Sequence, residues 1–333
     1  MDTRIRFLDG WRGLAIFGVL VGHFVGVPGI NAARLGVEFF FVLSGRLMAE
    51  ILFVEQKALI DFFPRRFARI YPTLLIFATA VFAYSALDPE HGIGPWDYLA
   101  TITLTYNYFS IFLHRAGFLD HIWSLCIEEH LYIVLGCIAA AYRRFRFPVA
   151  PVLAGLASLC VLNGALSTIA GGDYYDVYWR SDVRGASILM GAAAFLWLRN
   201  RAAPWWCSLV LVLVGLALNI EASPNPLKYS LGTACLAGAV ATLPRAPKLV
   251  LQGFQLPPLL GLGLVSYSIY LWQQPLYVIS HSSGPSIVML VTAIAAGTGS
   301  YFLFERPARR WLNGHLNALT HRFRREPAPT RAG

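Results

Sequence analysis

The sequence predicts an all-α, polytopic transmembrane bundle, and three observations predict it. Hydrophobic residues make up 56% of the 333-residue chain and charged residues only 14%, where a soluble domain carries about a quarter charged. Apolar runs near the roughly 20 residues needed to cross a bilayer recur along nearly the whole length. Basic and acidic residues fall in alternate loops: Arg65, Arg66 and Arg69, then Asp88 and Glu90, then Arg143, Arg144 and Arg146, then Asp173 and Asp176. That alternation is the positive-inside pattern of a membrane protein, so the net charge of +9 does not indicate nucleic acid as a partner.

In chain order, the apolar segments are 9–28, 34–54, 70–87, 97–113, 121–142, 148–170, 182–199, 204–221, 228–244, 258–280 and 285–304. The first is followed by PGINAARLG rather than a small-residue cleavage site and carries ionisable residues, so it is expected to remain as a span. Eleven crossings that start inside would leave Arg143, Arg144 and Arg146 outside, against the charge rule. Segment 97–113, DYLATITLTYNYFSIFL, is short and rich in Thr, Tyr and Asn. Treated as a re-entrant or interfacial piece, it leaves about ten spans with both termini cytoplasmic. Residues 1–311 are expected to form one membrane domain, and 312–333 a basic, disordered cytoplasmic tail. The five cysteines all lie in apolar segments without ligand spacing, which reads as core packing with no metal site.

Ionisable residues inside hydrocarbon are functional candidates by default. Arg12 and His23 sit eleven residues apart in LDGWRGLAIFGVLVGHF, so a helix puts them about 20° apart in azimuth and roughly 16 Å apart along the axis. The charge-derived orientation places His23 in the outer half of the first span and Glu38 in the outer half of the second. Glu128 and Glu129 fall about 10 Å along the span that enters at His121. Each such group costs about 2.5–3.5 kcal/mol at a helix centre, so they must face one another or a wet cavity. A histidine oriented by a carboxylate suits general-base chemistry near neutral pH, and Glu38, Glu128 and Glu129 are all eligible partners. At the cytoplasmic start of the third span, Arg66 and Arg69 are three residues apart. On a helix they could clamp a phosphorylated anion or simply meet lipid headgroups. The Tyr- and Trp-rich outer loop GGDYYDVYWR, followed by Asp182 and Arg184, could stack on a sugar ring, although an interfacial aromatic belt is the simpler explanation.

Taken in order, these motifs resemble those of the acyltransferase-3 family of bacterial integral membrane O-acyltransferases. LDGWRGLAIFGVLVGH is similar to that family's opening signature, GVEFFFVLSG to its second-span motif with Glu38 where aspartate is more usual, and Arg66-Phe67-Ala68-Arg69 to its RxxR motif. HIWSLCIEEHLY matches its WSLxxE stretch at Trp123, Ser124, Leu125, Glu128, Glu129 and Tyr132, while LGLVSYSIYLWQQP and FERPARRW resemble its late motifs. The likeness covers roughly residues 6–311.

The resemblance implies transfer of an acyl group, most commonly acetyl, from cytoplasmic acyl-CoA to a hydroxyl of a cell-surface or lipid-linked carbohydrate. The setting would be the bacterial cytoplasmic membrane, with polysaccharide assembly proteins as further partners. It also points Arg66 and Arg69 toward binding the CoA phosphates; within that frame His23 is expected to act as the base, with Glu128 or Glu38 polarising it and Arg12 contacting the donor or developing charge. Ser124 is expected to support the fold rather than act as a nucleophile. A stand-alone form is expected, without the esterase-like domain fused to some relatives. Arg46, where the family usually has an apolar residue, and Gln273, where it often has histidine, are departures that leave both outside the catalytic set. The rival reading is a glycan or small-anion transporter in which His23 and the carboxylates relay protons.

Overall fold

Hydrocarbon offers backbone amides no water, so a spanning segment must satisfy its hydrogen bonds internally. The computed structural model, which describes residues 6–88, 92–282 and 286–325, is accordingly helical, with no strand among the described residues beyond a single bridge between Ile30 and Ile220. Helix α1 spans Arg6–Phe24 and α2 Ala32–Ala49, the latter extended by a π-helical turn, Glu50–Val54. Asn31 caps α2, its side chain accepting from the Arg34 amide, as Asn does at a helix start. Helix α3 is Leu59–Tyr84, α4 Pro95–Ile102, α5 Tyr106–Phe112, α6 Ile122–Phe145 and α7 Val149–Ile169. Two short turns, α8 (Tyr174–Tyr178) and α9 (Ser181–Arg184), lead into α10, Ala186–Leu198. Then follow α11 (Cys207–Leu218), α12 (Asn225–Leu227), α13 (Thr233–Thr242), α14 (Lys248–Gly253), α15 (Pro257–Ser282), α16 (Ser286–Ser300) and α17 (Arg306–Arg325).

Among the described residues, four stretches are long and apolar enough to cross a membrane by length and composition: Leu59–Tyr84, Ile122–Phe145, Val149–Ile169 and the continuous run Ser286–Leu316. The protein is thus a multi-pass membrane protein. Helices α1 and α2, with 19 and 18 residues, approach spanning length, but each carries three charged residues: Arg6, Asp9 and Arg12, then Arg34, Glu38 and Arg46. Segment 97–113 is no continuous helix. It breaks between α4 and α5 at Leu104, whose φ is 56°, and neither piece approaches the length of a span. The basic C-terminal run, expected to lack structure from residue 312, continues α17 through Arg325, with Leu312 and Leu316 one turn apart as in an amphipathic interfacial helix. Residues 326–333 of that expected tail lie outside the described residues.

Helices α1 and α2 pack side by side at the centre, with α15 against α1 and α10 against α2. Bare backbone makes these contacts possible. A Cβ on Gly13 would fall 2.0 Å from the Leu259 carbonyl oxygen, and one on Gly45 would fall 1.9 Å from that of Ile188. Small residues let membrane helices approach this closely, where dispersion rather than hydrophobic exclusion holds them together. Gly45→Val therefore wedges α2 from α10 and is expected to destabilise the fold by about 1–3 kcal/mol or more. The check is thermal unfolding in detergent against Gly155→Ala, where an added Cβ meets nothing within 4 Å; equal melting of the two would show that this contact is dispensable.

Candidate active site

The period of each helix decides which residues meet. On α6, Ser124, Glu128 and Tyr132 recur every four residues and so share one face. On α2, Val37, Phe41, Ser44 and Met48 form the stripe turned toward it. Helix α1 adds Arg12, α3 adds Arg66 and Arg69, and α15 adds Ser266 and Tyr270 to enclose a cavity of about 190 Å³. Glu128 accepts hydrogen bonds from the hydroxyls of Ser44 and Tyr132 and lies 3.1 Å from Arg66 Nη2. Arg66 Nε donates to Glu129 at 3.0 Å, and the guanidinium sits 4.0 Å over the Tyr132 ring. Arg12 pairs with Asp9 at 3.3 Å. Arg69 makes no hydrogen bond or ion pair among the described residues, and Glu305 is the nearby carboxylate whose charge it meets. The cavity wall therefore presents three guanidiniums and one carboxylate.

His23 does not line this cavity. It lies one face-repeat further along α1, in a second cavity of about 410 Å³ with Arg115, Asp120, His121 and the aromatic rings of Trp123, Tyr175, Trp179 and Tyr277. Val37 and Tyr270 line both chambers. The Tyr270 hydroxyl lies 2.6 Å from Ser124 Oγ and 2.9 Å from the His121 carbonyl oxygen, so Ser124 ties α6 to α15. Trp123 stacks on Trp179 with ring centroids 5.8 Å apart. At the rim of the cavity, burial pushes the Asp120 carboxyl above its usual range, against the pull of Arg115.

Carboxylates do not orient His23. Its Nδ1 lies 2.6 Å from Gln273 Oε1, and its ring stacks on Tyr277 at 4.2 Å. The Gln273 amide nitrogen points to the Tyr270 carbonyl, 3.4 Å away, which turns the amide oxygen toward the histidine. Nδ1 is then the donor, and Nε2 keeps its lone pair. Glu38, expected beside His23, instead bonds Arg184 and accepts from Thr233 Oγ1 at 2.6 Å. The difference is one of azimuth: one residue past Val37, Glu38 lies on the α2 stripe with Val42 and Gly45 that packs against α10. Glu128 is likewise taken up by Arg66, Ser44 and Tyr132. Sequence reasoning passed over Gln273 and Arg184 as site residues. A polar residue buried in an apolar helix was the available signal for Gln273, which is fully buried.

The model of the acyltransferase domain matches residues 5–304. The chain belongs to the acyltransferase-3 family. It is similar to the peptidoglycan O-acetyltransferase OatA of Listeria monocytogenes, with 26% identity over 93% of this chain and 56% of that protein. It is also similar to the O-acetyltransferase OatA of Staphylococcus aureus, with 27% identity over 91% and 57%. The chain thus spans little more than half the length of these curated relatives. No solved structure matches it. This acyltransferase domain carries the family's charged motifs in two separate chambers rather than in one cluster.

The buried Glu38–Arg184 pair generates a stability prediction. Removing one partner of a buried pair strands a charge and costs about 3–5 kcal/mol, whereas apolar replacement of both is close to neutral. Glu38→Leu is expected to show that loss in detergent melts and Glu38→Leu/Arg184→Leu to recover most of it; a double variant as unstable as the single would show that the pair is not what matters there.

Proposed function

We propose that the chain transfers an acetyl group from cytoplasmic acetyl-CoA across the membrane to a hydroxyl of a cell-wall carbohydrate. One observation carries this: a cationic cavity and a histidine cavity lie back to back, with Val37 and Tyr270 as their common wall. A donor bearing several phosphates suits the first, because Arg69 and Arg12 offer charge and forked donors that the local carboxylates do not fully offset. Arg66, held between Glu128 and Glu129, is the least available of the three. The relatives, both O-acetyltransferases and one of them named for peptidoglycan, support the acetyl group and the cell-wall acceptor. The basic loops that flank α3 and α6 support a cytoplasmic face on the arginine side, ten spans with both termini inside, and the cytoplasmic membrane of a bacterium as the setting.

In this mechanism the CoA phosphates rest against Arg69 and Arg12, and the thioester reaches along the Ser44–Tyr132 wall to Tyr270. The acceptor enters the other chamber. His23 Nε2 takes the proton of its hydroxyl, the oxygen attacks the thioester carbonyl, and collapse of the tetrahedral intermediate expels CoA as a thiolate, which regains the proton. Gln273 is a positioning residue that fixes the tautomer and plane of the ring. A proton-relay transporter fits less well, because the group bonded to His23 is an amide that does not titrate.

Acetyl transfer from labelled acetyl-CoA to endogenous glycan in isolated membranes tests this. His23→Ala at matched protein level is expected to lower transfer by about 10²–10⁴-fold, Arg69→Ala to raise the KM for acetyl-CoA, and Gln273→Leu to lower kcat while leaving that KM unchanged. Transfer by His23→Ala equal to wild type would remove the histidine as the base.

A further inference from the structure

The second cavity has more machinery than a proton acceptor needs, supplied by two loops: Tyr175 and Trp179 from the one between α7 and α10, and Arg115 and Asp120 from the one between α5 and α6. Tyr175 and Trp179 stand edge to face with centroids 5.0 Å apart, and Trp179 continues the stack to Trp123. Arg115 lies across them, its guanidinium carbon 3.9 Å from the Tyr175 ring centre and 4.8 Å from that of Trp179. A forked pair fixes it there, with Nε and Nη2 donating to the Asp120 carboxylate at 2.7–3.0 Å. Tyr175 remains 40% exposed, as does the Arg115 side chain. All of these residues line the chamber that holds His23 and Tyr277.

A lipid-facing aromatic belt would point its rings outward into the headgroup region. These rings turn instead into a cavity of about 410 Å³, within the size range of small-molecule sites. They are accompanied by a guanidinium and a carboxylate, which can bond neighbouring hydroxyls in a forked geometry. An aromatic face for an apolar C–H surface, with charged hydrogen-bonding groups at its edge, is the chemistry that recognises a pyranose ring. The geometry points to Tyr175, Trp179 and the Arg115–Asp120 pair as the acceptor's saccharide subsite: the sugar packs against the part of the Tyr175 ring that Arg115 leaves exposed, its hydroxyls bond Arg115 and Asp120, and it is thereby presented to His23. This rests on the acyl-transfer reading for its catalytic meaning, but the binding site itself does not.

The test uses the full chain in detergent with chitotetraose as probe, read by saturation-transfer NMR and then by acetyl transfer to the same probe. Wild type is expected to bind through the ring C–H protons. Tyr175→Ala is expected to weaken binding and to raise the acceptor KM by about tenfold, with the KM for acetyl-CoA unchanged, and Tyr175→Phe to restore both. Asp120→Asn, which loosens Arg115, is expected to weaken binding in the same way. Trp197→Ala, a change at an exposed aromatic outside the cavity, serves as control. Binding by Tyr175→Ala equal to wild type, or no binding by wild type, overturns the subsite. Binding that depends on Tyr175 in a protein that transfers no acetyl group leaves the saccharide subsite standing and overturns the acyl-transfer reading instead.

Discussion

Arg66 is held between Glu128 and Glu129, and much of the bundle is arranged around that neutralisation. A charge inside hydrocarbon is tolerable only when countercharge and hydrogen bonds are supplied locally. The cluster brings these from three helices: Arg66 from α3, the two carboxylates with Tyr132 from α6, and Ser44 from α2. Because each partner leaves another charged or polar group stranded if it is displaced, the register of α2, α3 and α6 is fixed together. The chamber beside the cluster keeps its cationic lining because Arg12 and Arg69 are not absorbed into the same network.

Helix α15 performs the complementary task. It contributes Tyr270 to the wall between the chambers, and one turn later Gln273 and Tyr277 clasp His23 from two sides. Pro275 lies within this helix and has no N–H for the Leu271 carbonyl. Gly13 and Gly263 allow α1 and α15 to touch through backbone alone, which holds His23 and Gln273 in register across 250 residues of sequence. The chemistry proposed for His23 thus depends on a helix contact made near the opposite end of α1.

The motifs that the family resemblance picked out do gather in space, but not as one constellation. Separation along a single helix was legible, since rise per residue is fixed. Arg12 and His23 occupy different depths on one face of α1, as their spacing required. Azimuth relative to neighbours was not legible. Glu38 does not meet His23 or Glu128, because one residue's rotation carries it from the cavity stripe of α2 to the face that packs on α10. The aromatic outer loop was ambiguous for the same reason, as the composition of a belt and of a binding wall is alike, and only the direction of the rings separates them.

Composition, apolar periodicity and the alternation of basic loops determined by themselves that this chain is an all-helical membrane protein with polar groups buried for a purpose. Those properties follow from local chain geometry and from the cost of charge in hydrocarbon. The pairing of Glu38 with Arg184, the substitution of Gln273 for a carboxylate at His23, and the division into two chambers were decided only by the tertiary structure. Each depends on which helix faces which, and that is set by close backbone contacts at glycines such as Gly13 and Gly45, whose partners lie far away in the sequence.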